Sequence, residues 1–294
     1  MNACLAGVFG LGAMGAPMAE NLHRAGLLGG FWNRSPGRAA ALAERLGRPP
    51  AADAEALAAG VEVLLLSLSA DADVTSLLER LHPVLRPGQV VVDTSTTHPD
   101  TARRLAARLD EAGVGFLDAP VSGGVEGARR GTLAMMVGGE PEMLARVRPV
   151  LEVISARIAH LGPVGSGQAT KAVNQVIAAG INQAVCQGLA LAEALGLPLD
   201  RVIEVVGGGA AGNWFLTHRG PTLVQGRFEP GFRVALHRKD LDICARLAEG
   251  LGLELSLVRD TLADYARLET DGHGDEDISA LYRLKRAVRQ ADED

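Results

Sequence analysis

The sequence predicts an α/β fold class: a doubly wound parallel sheet followed by an all-α domain built on one long interdomain helix. Three observations carry this. Apolar runs of strand length alternate with helical periodicity over roughly the first 160 residues. A glycine motif, Gly10-Leu11-Gly12-Ala13-Met14-Gly15, stands between the first strand and the first helix, which makes the arrangement Rossmann-type. From Gln168 onward the text is helical nearly to the end.

The elements follow in order. Residues 3–9 read as a buried strand, and Met14, Met18, Leu22 and Ala25 repeat at helical spacing behind the glycines. A second strand ends at Phe31-Trp32-Asn33, and an Ala- and Arg-rich helix spans about 35–46. Residues 61–69 and 90–93 are continuous apolar runs, as strands buried on both faces require, with a helix and a Pro87-Gly88 turn between them. A helix over 99–112, a strand at 115–119 and the segment 133–137 continue the alternation. The next stretch, 168–195, makes a helix of roughly 42 Å. Gly162, Gly165 and Gly167 precede it and Pro198 follows it, so the domains divide as 1–162 and 163–294. On that helix Ala178, Ile181, Val185 and Leu189 form a stripe suited either to an internal core or to an oligomer interface. The closing Asp-Glu-Asp reads as a solvated tail.

Composition narrows the function. The 294 residues are 47% apolar and carry a net charge of −6 with 3% aromatics, so neither bulk charge nor base stacking favours a nucleic-acid partner. Cys4, Cys186 and Cys244 lie far apart with no CxxC spacing, and the histidines form no HExxH or HxH pair; disulfides and a metal site are both unsupported. The N-terminal text has no basic run before an apolar one, and the long helix carries Lys171, Asn174, Asn182 and Glu193. No signal peptide and no membrane span are expected, which fits a cytoplasmic protein. Of 29 basic residues only Lys171, Lys239 and Lys285 are lysines. Where arginine prevails, a retained lysine can mark chemistry that a permanently charged guanidinium cannot perform.

In the glycine motif the first glycine permits the tight turn, the second lets backbone approach a pyrophosphate, and the third lets helix pack on strand. Residues 10–15 are therefore candidate dinucleotide-binding residues, with phosphates held by backbone N–H groups and the positive helix end. About 20 residues on, where an acid normally takes the ribose 2′-hydroxyl, stand Asn33, Arg34 and Ser35, with Arg38 one turn further. A guanidinium without a carboxylate suits a 2′-phosphate, so NADP, with NADPH preferred over NADH, is the expected cofactor.

Four blocks occur in order along the chain: GLGAMGAPMAENL from Gly10, DAPVSGG from Asp118, GPVGSGQATKAVNQ from Gly162 and KDLDICARLA from Lys239. Together they resemble the β-hydroxyacid dehydrogenase family, which includes 3-hydroxyisobutyrate dehydrogenase, tartronate semialdehyde reductase and glyoxylate/succinic semialdehyde reductases. The resemblance implies Lys171 as catalytic acid/base. The start of a helix and burial would both favour its neutral amine. Asn174, one turn on, would orient the substrate hydroxyl or Lys171 itself. It further implies that Ser122, Gly123 and Gly124 grip the substrate carboxylate, that Ser95 and Thr96 lie beside the cofactor, and that Lys239 and Asp240 close over it. Lys285, among Arg283, Arg286 and Arg289, reads as surface.

Ala70-Asp71-Ala72 replaces a Leu-Pro common in the family, and Gln175 replaces a second Asn. With KAVNQVI and FRVALHRKDL, that Gln brings the text closest to tartronate semialdehyde reductases. The implied reaction is NADP-dependent interconversion of a small semialdehyde carboxylate and its hydroxyacid in a homodimer or homotetramer. Alternatives are 3-hydroxyisobutyrate dehydrogenase, glyoxylate/succinic semialdehyde reductase and a non-catalytic NADP-binding module. Phosphogluconate dehydrogenase has a longer α-domain, and imine reductases typically lack the lysine.

Overall fold

The computed structural model describes residues 4–286, which form two compact units that divide between Lys171 and Ala172. Residue 3 of the expected first strand, the acidic tail and Arg289 lie outside the described residues.

The first unit runs β1 (Ala6–Phe9), α1 (Gly15–Arg24), β2 (Leu28–Trp32), α2 (Pro36–Leu46), α3 (Ala54–Ala59), β3 (Val63–Leu66), α4 (Asp71–Leu81), β4 (Val90–Asp93), α5 (Pro99–Asp110) and β5 (Gly115–Asp118). It continues with β6 (Val121–Ser122), α6 (Gly124–Arg130), β7 (Leu133–Val137), α7 (Pro141–Leu151) and β8 (Ser155–His160). Helix α8 (Ser166–Ala194) begins in this unit and continues into the next. The first five strands form a parallel sheet of order β2-β1-β3-β4-β5.

Alternation along each strand serves two cores. Val63 and Leu65 of β3 pack with Met18, Leu22 and Leu42 on one face, while Leu64 and Leu66 pack with Leu57, Leu77 and Leu105 on the other. Both faces are apolar because helices cover both, as parallel sheets require. Each fully buried leucine contributes roughly 1.5–3 kcal/mol of transfer free energy.

The doubly wound parallel sheet is present, and it is not the whole of the unit. Strands β6, β7 and β8 form a separate three-stranded sheet in which β6 runs antiparallel to β7. Asp118 and Gly138 exchange backbone hydrogen bonds (3.1 and 2.8 Å) that join the two sheets. Three elements had no clear sequence signal. α3 is too short for a helical period and rests on its Asp53 N-cap, which accepts from the Ala56 N–H (2.6 Å). α6 follows a glycine pair that reads as a turn, and β8 is mostly exposed.

The units meet at Lys171–Ala172, inside α8, whereas the sequence places the division at 162. Hydrogen bonding gives the reason. The N–H groups of Gly165 and Gln168 both donate to the Asp118 carboxylate (2.8 Å each), and the Gln168 side chain bonds the Ser95 carbonyl (2.8 Å) and the Thr97 N–H (3.1 Å). A Cβ at Gly167 would stand 2.4 Å from the Met136 carbonyl. The glycine cluster is therefore a close-packing device that fixes the start of α8 on the strand ends.

The second unit holds the rest of α8 with α9 (Leu199–Gly207), α10 (Trp214–Val224), α11 (Val234–Gly250), α12 (Ser256–Thr270) and α13 (Tyr282–Lys285). By length and apolarity α8 could cross a membrane. Its buried amides are bonded within the unit, however. Asn182 donates to the Tyr265 hydroxyl (3.0 Å) and the Ile278 carbonyl (2.9 Å), and Gln183 donates to Asp264 (2.8 Å). That makes it a core helix. Val185 and Leu189 belong to the unit's core and Ile181 packs against it, which resolves that stripe in favour of a core. Lys285 departs from its expected surface place: its side chain is 20% exposed and is paired with Asp264.

Candidate active site

In the first unit β1 delivers the chain into the glycine turn with Gly10 at φ +94°. A Cβ there would meet the Ser67 carbonyl at 2.3 Å, and one at Gly15 would meet the Gly10 carbonyl at 1.9 Å. Gly12 is different. A Cβ there would meet only the Arg38 guanidinium, at 3.8 Å, so the protein's own packing does not require a glycine at 12. The first turn of α1 has no acidic residue, and Met14, at its N-cap, provides no side-chain cap. Uncapped amides beside an open glycine fit a bound pyrophosphate.

Asn33 supports this turn, its Oδ1 accepting from the Leu11 N–H (2.8 Å) and its Nδ2 donating to the Ser35 carbonyl (2.9 Å). Arg34 is 82% exposed and paired with Asp73 of α4 (2.8 Å). The carboxylate missing from the end of β2 is thus supplied by another element, a feature hidden from local sequence reading. An exposed pair of this kind contributes about 1 kcal/mol or less, so an incoming phosphate could displace it.

The loop after β4 is tied down on all sides. Ser95 Oγ accepts from the Leu68 N–H (2.9 Å), Thr94 Oγ1 donates to the Leu66 carbonyl (2.6 Å), and Asp71 Oδ1 accepts from the His98 N–H (2.8 Å). Thr96 is half-buried in this loop. Asp93 accepts from the Ser95 N–H (3.0 Å), but its other oxygen and Thr97 Oγ1 are buried with no hydrogen-bond partner. Burial, with the nearby Asp118 and Asp71 charges, pushes the Asp93 carboxyl up to about 7. Burial also raises Asp118, its register partner on β5, against the lowering effect of the amides it accepts from.

Lys171 is buried and its Nζ donates to the Val121 carbonyl (2.9 Å). The amine therefore adjoins the residues that lead into Ser122, Gly123 and Gly124. Gly123 (φ +128°) and Gly124 (φ +61°) take left-handed conformations that L side chains resist, which turns the chain out of β6. The positive end of α8, expected to depress the lysine, is already met by the Asp118 carboxylate.

In the second unit four side chains form a chain of bonds. Asn174 donates to Gln175 (2.8 Å), Gln175 donates to Asp240 (2.6 Å), and Asp240 is paired with Lys239 (2.9 Å). The structure thus brings Lys239 and Asp240 together with Asn174, and it adds Gln175 as the connector. The imidazole of His237 is bonded to the Tyr265 hydroxyl (2.9 Å) and approaches the Gln175 carbonyl (3.4 Å). Asp93, Asp118, Gln168 and Gln175 were not singled out as site residues by sequence. The signal for the first two was present, since each closes an apolar strand with an acid. Among the described residues no group of three His, Cys, Asp or Glu is placed to hold a metal ion.

Comparison with known proteins agrees with this architecture. Residues 6–162 match the NAD binding domain of 6-phosphogluconate dehydrogenase, and residues 165–285 match the NAD-binding domain of NADP-dependent 3-hydroxyisobutyrate dehydrogenase. The 2-hydroxy-3-oxopropionate reductase of Escherichia coli is 35% identical over 252 residues, 85% of this chain and 86% of that protein. The NAD-dependent L-serine dehydrogenase of Pseudomonas aeruginosa is 33% identical over 94% of this chain and 95% of its own. A structure of Mycobacterium tuberculosis 3-hydroxyisobutyrate dehydrogenase with L-serine superposes with a TM-score of 0.87 at 34% identity, covering 97% of this chain and 99% of the other. The two matched domains, their order and these full-length relatives establish that the chain belongs to the β-hydroxyacid dehydrogenase family of NAD(P)-binding oxidoreductases.

Proposed function

We propose that the protein is an NADPH-preferring reductase of a small semialdehyde carboxylate, working reversibly on the corresponding hydroxyacid, with tartronate semialdehyde as the favoured substrate. The observation that carries the reading is the Lys171 amine bonded at Val121, beside Ser122-Gly123-Gly124. When bound, the reduced nicotinamide supplies the hydride. Lys171 Nζ donates the proton to the carbonyl oxygen of the substrate and takes it back in the reverse direction. Ser122 and the amides of Gly123 and Gly124 hold the carboxylate, so the aldehyde carbon is presented at a fixed distance from its anchor. Asn174 orients the substrate hydroxyl or the lysine. Backbone at Gly10–Gly15 holds the pyrophosphate, Ser95 and Thr96 border the cofactor, and Lys239 with Asp240 closes over it.

For the 2′-phosphate we assign Arg34, with Asn33 shaping the turn, Ser35 adding a hydroxyl and Arg38 alongside. Support comes from the guanidinium of Arg34, 82% exposed and held only by an exposed ion pair. The three widely spaced cysteines fit a reducing compartment, which supports action in the cytoplasm.

The test is NADPH oxidation against a panel of tartronate, methylmalonate and succinic semialdehydes and glyoxylate, with kcat/KM for NADPH and NADH. A clear NADH preference would overturn the cofactor assignment, and failure of every aldehyde would overturn the reaction. A second reading is oxidation of L-serine or 3-hydroxyisobutyrate. It is favoured by the structural neighbour with L-serine and the NAD-dependent relative, and is checked by adding both substrates with NADP and NAD.

A further inference from the structure

We propose that Gln168 is a positioning residue for the cofactor: its carboxamide holds the loop bearing Ser95 and Thr96 in the shape that receives NADPH. The inference rests on the reading of that loop as the cofactor's border. Gln168 is 1% exposed and lies in the first turn of α8, inside the first unit. Its Nε2 donates to the Ser95 carbonyl (2.8 Å) and its Oε1 accepts from the Thr97 N–H (3.1 Å). These are the backbone groups on either side of Thr96 that a parallel neighbouring strand would bond.

The loop needs such a partner because the sheet stops short of it. Ala119 N–H still donates to the Asp93 carbonyl (2.8 Å), but the next amide on that edge, Ser95 N–H, turns aside to the Asp93 carboxylate (3.0 Å). Leu68 N–H on Ser95 Oγ and Asp71 on His98 N–H fix the loop toward β3 and α4. Gln168 ties it to α8. The backbone of Gln168 is itself anchored, since its N–H donates to Asp118 (2.8 Å). A Cβ on the preceding Gly167 would stand 2.4 Å from the Met136 carbonyl and 2.5 Å from that of Asp118. The carboxamide therefore projects from a helix start that cannot drift.

The residue type follows from the two bonds. Only a group that donates and accepts at once serves both Ser95 and Thr97. A carboxylate of the same size cannot donate, and it sets acceptor against acceptor at the Ser95 carbonyl. A protonated carboxyl restores one donor and one acceptor, and burial beside Asp93 and Asp118 favours that form in mildly acid solution. Changing the side chain leaves the backbone bond to Asp118 and the separate Lys171 bond to the Val121 carbonyl in place. Cofactor affinity should therefore suffer far more than proton transfer.

The test compares NADPH affinity of the full chain and of Gln168→Glu by fluorescence titration at about pH 9 and about pH 5.5, as a ratio at each pH. Asp93, Asp118, Asp71, His98, Arg103 and Lys171 around the loop and helix start are common to both chains, as is the nucleotide phosphate, so the ratio isolates the carboxyl at 168. Gln168→Glu should bind about tenfold or more weakly at the higher pH and return toward the parent at the lower. Its kcat at saturating NADPH should fall far less than its kcat/KM for NADPH. A ratio equal at the two pH values, or a loss confined to kcat, overturns the proposal. If Gln168→Glu does not fold at the higher pH by far-UV circular dichroism, Gln168→Met decides. It keeps the length without either bond and should weaken NADPH binding at both pH values, and parent-like affinity overturns the role of Gln168. A parent chain that binds no NADPH overturns the cofactor reading itself, and this inference with it.

Discussion

Lys171 and Asp93 are the two residues on which the chemistry can be tested most directly. Lysine and arginine carry the same charge at neutral pH, but only the amine can give up its proton in turnover. Lys171→Arg should therefore lose as much kcat as Lys171→Ala, about 10²–10⁴-fold, with NADPH affinity by fluorescence titration nearly unchanged. Rescue by arginine would reduce the lysine to an electrostatic role. Asp93 makes a prediction about pH. Its carboxyl is raised by burial from 3.8 to about 7, so the folded state holds the proton more tightly than the unfolded chain. The stability this gives is complete below about pH 4 and is lost as pH rises through 7, a change approaching about 4 kcal/mol. Asp93→Asn should flatten the fall in urea midpoint between pH 5 and pH 8 and leave the variant the more stable protein at pH 8. A residual slope of the same sign is expected from Asp118, which is also raised.

At the scale of elements, the glycine turn separates what the fold needs from what the ligand needs. Gly15 admits no Cβ because the Gly10 carbonyl would lie at 1.9 Å, so Gly15→Ala should lower the melting temperature as β1 and α1 are forced apart. Gly12 has open space, so Gly12→Ala should melt like the parent and lose NADPH affinity by tenfold or more, measured by titration. Equal melting losses for the two would mean that the motif is only a turn. This motif was legible in sequence because glycine spacing, strand and helix all point the same way. The strands 90–93 and 133–137 were legible for a related reason: continuous apolar runs have few alternatives. The start of α8 was legible to within two residues, expected at 168 and found at Ser166. What holds it in place was not: the Asp118 carboxylate that accepts the Gly165 amide lies 47 residues earlier in the chain. In the same way Arg34 read as unopposed because its partner Asp73 is 39 residues away. Long-range bonds of this kind leave no local period.

For the molecule as a whole, two units with separate hydrophobic cores need not melt together. Since the proposed cofactor cradle at Gly10–Gly15 lies in the first unit, NADPH at 100 times its Kd should add about 2.7 kcal/mol to that unit's unfolding and move its calorimetric transition chiefly. A shift confined to the other transition would place the nucleotide elsewhere. The three lysines carry one last consequence. Lys171 is bonded to a carbonyl, Lys239 to Asp240 and Lys285 to Asp264, while almost all surface cation is guanidinium. To an acylating reagent, which consumes primary amines and ignores arginine, this protein offers very few targets, so its labelling mass spectrum should be nearly blank. Any acyl group that does arrive on the peptide containing Lys171, and is excluded by added hydroxyacid, reports occupancy of the site without a coupled assay.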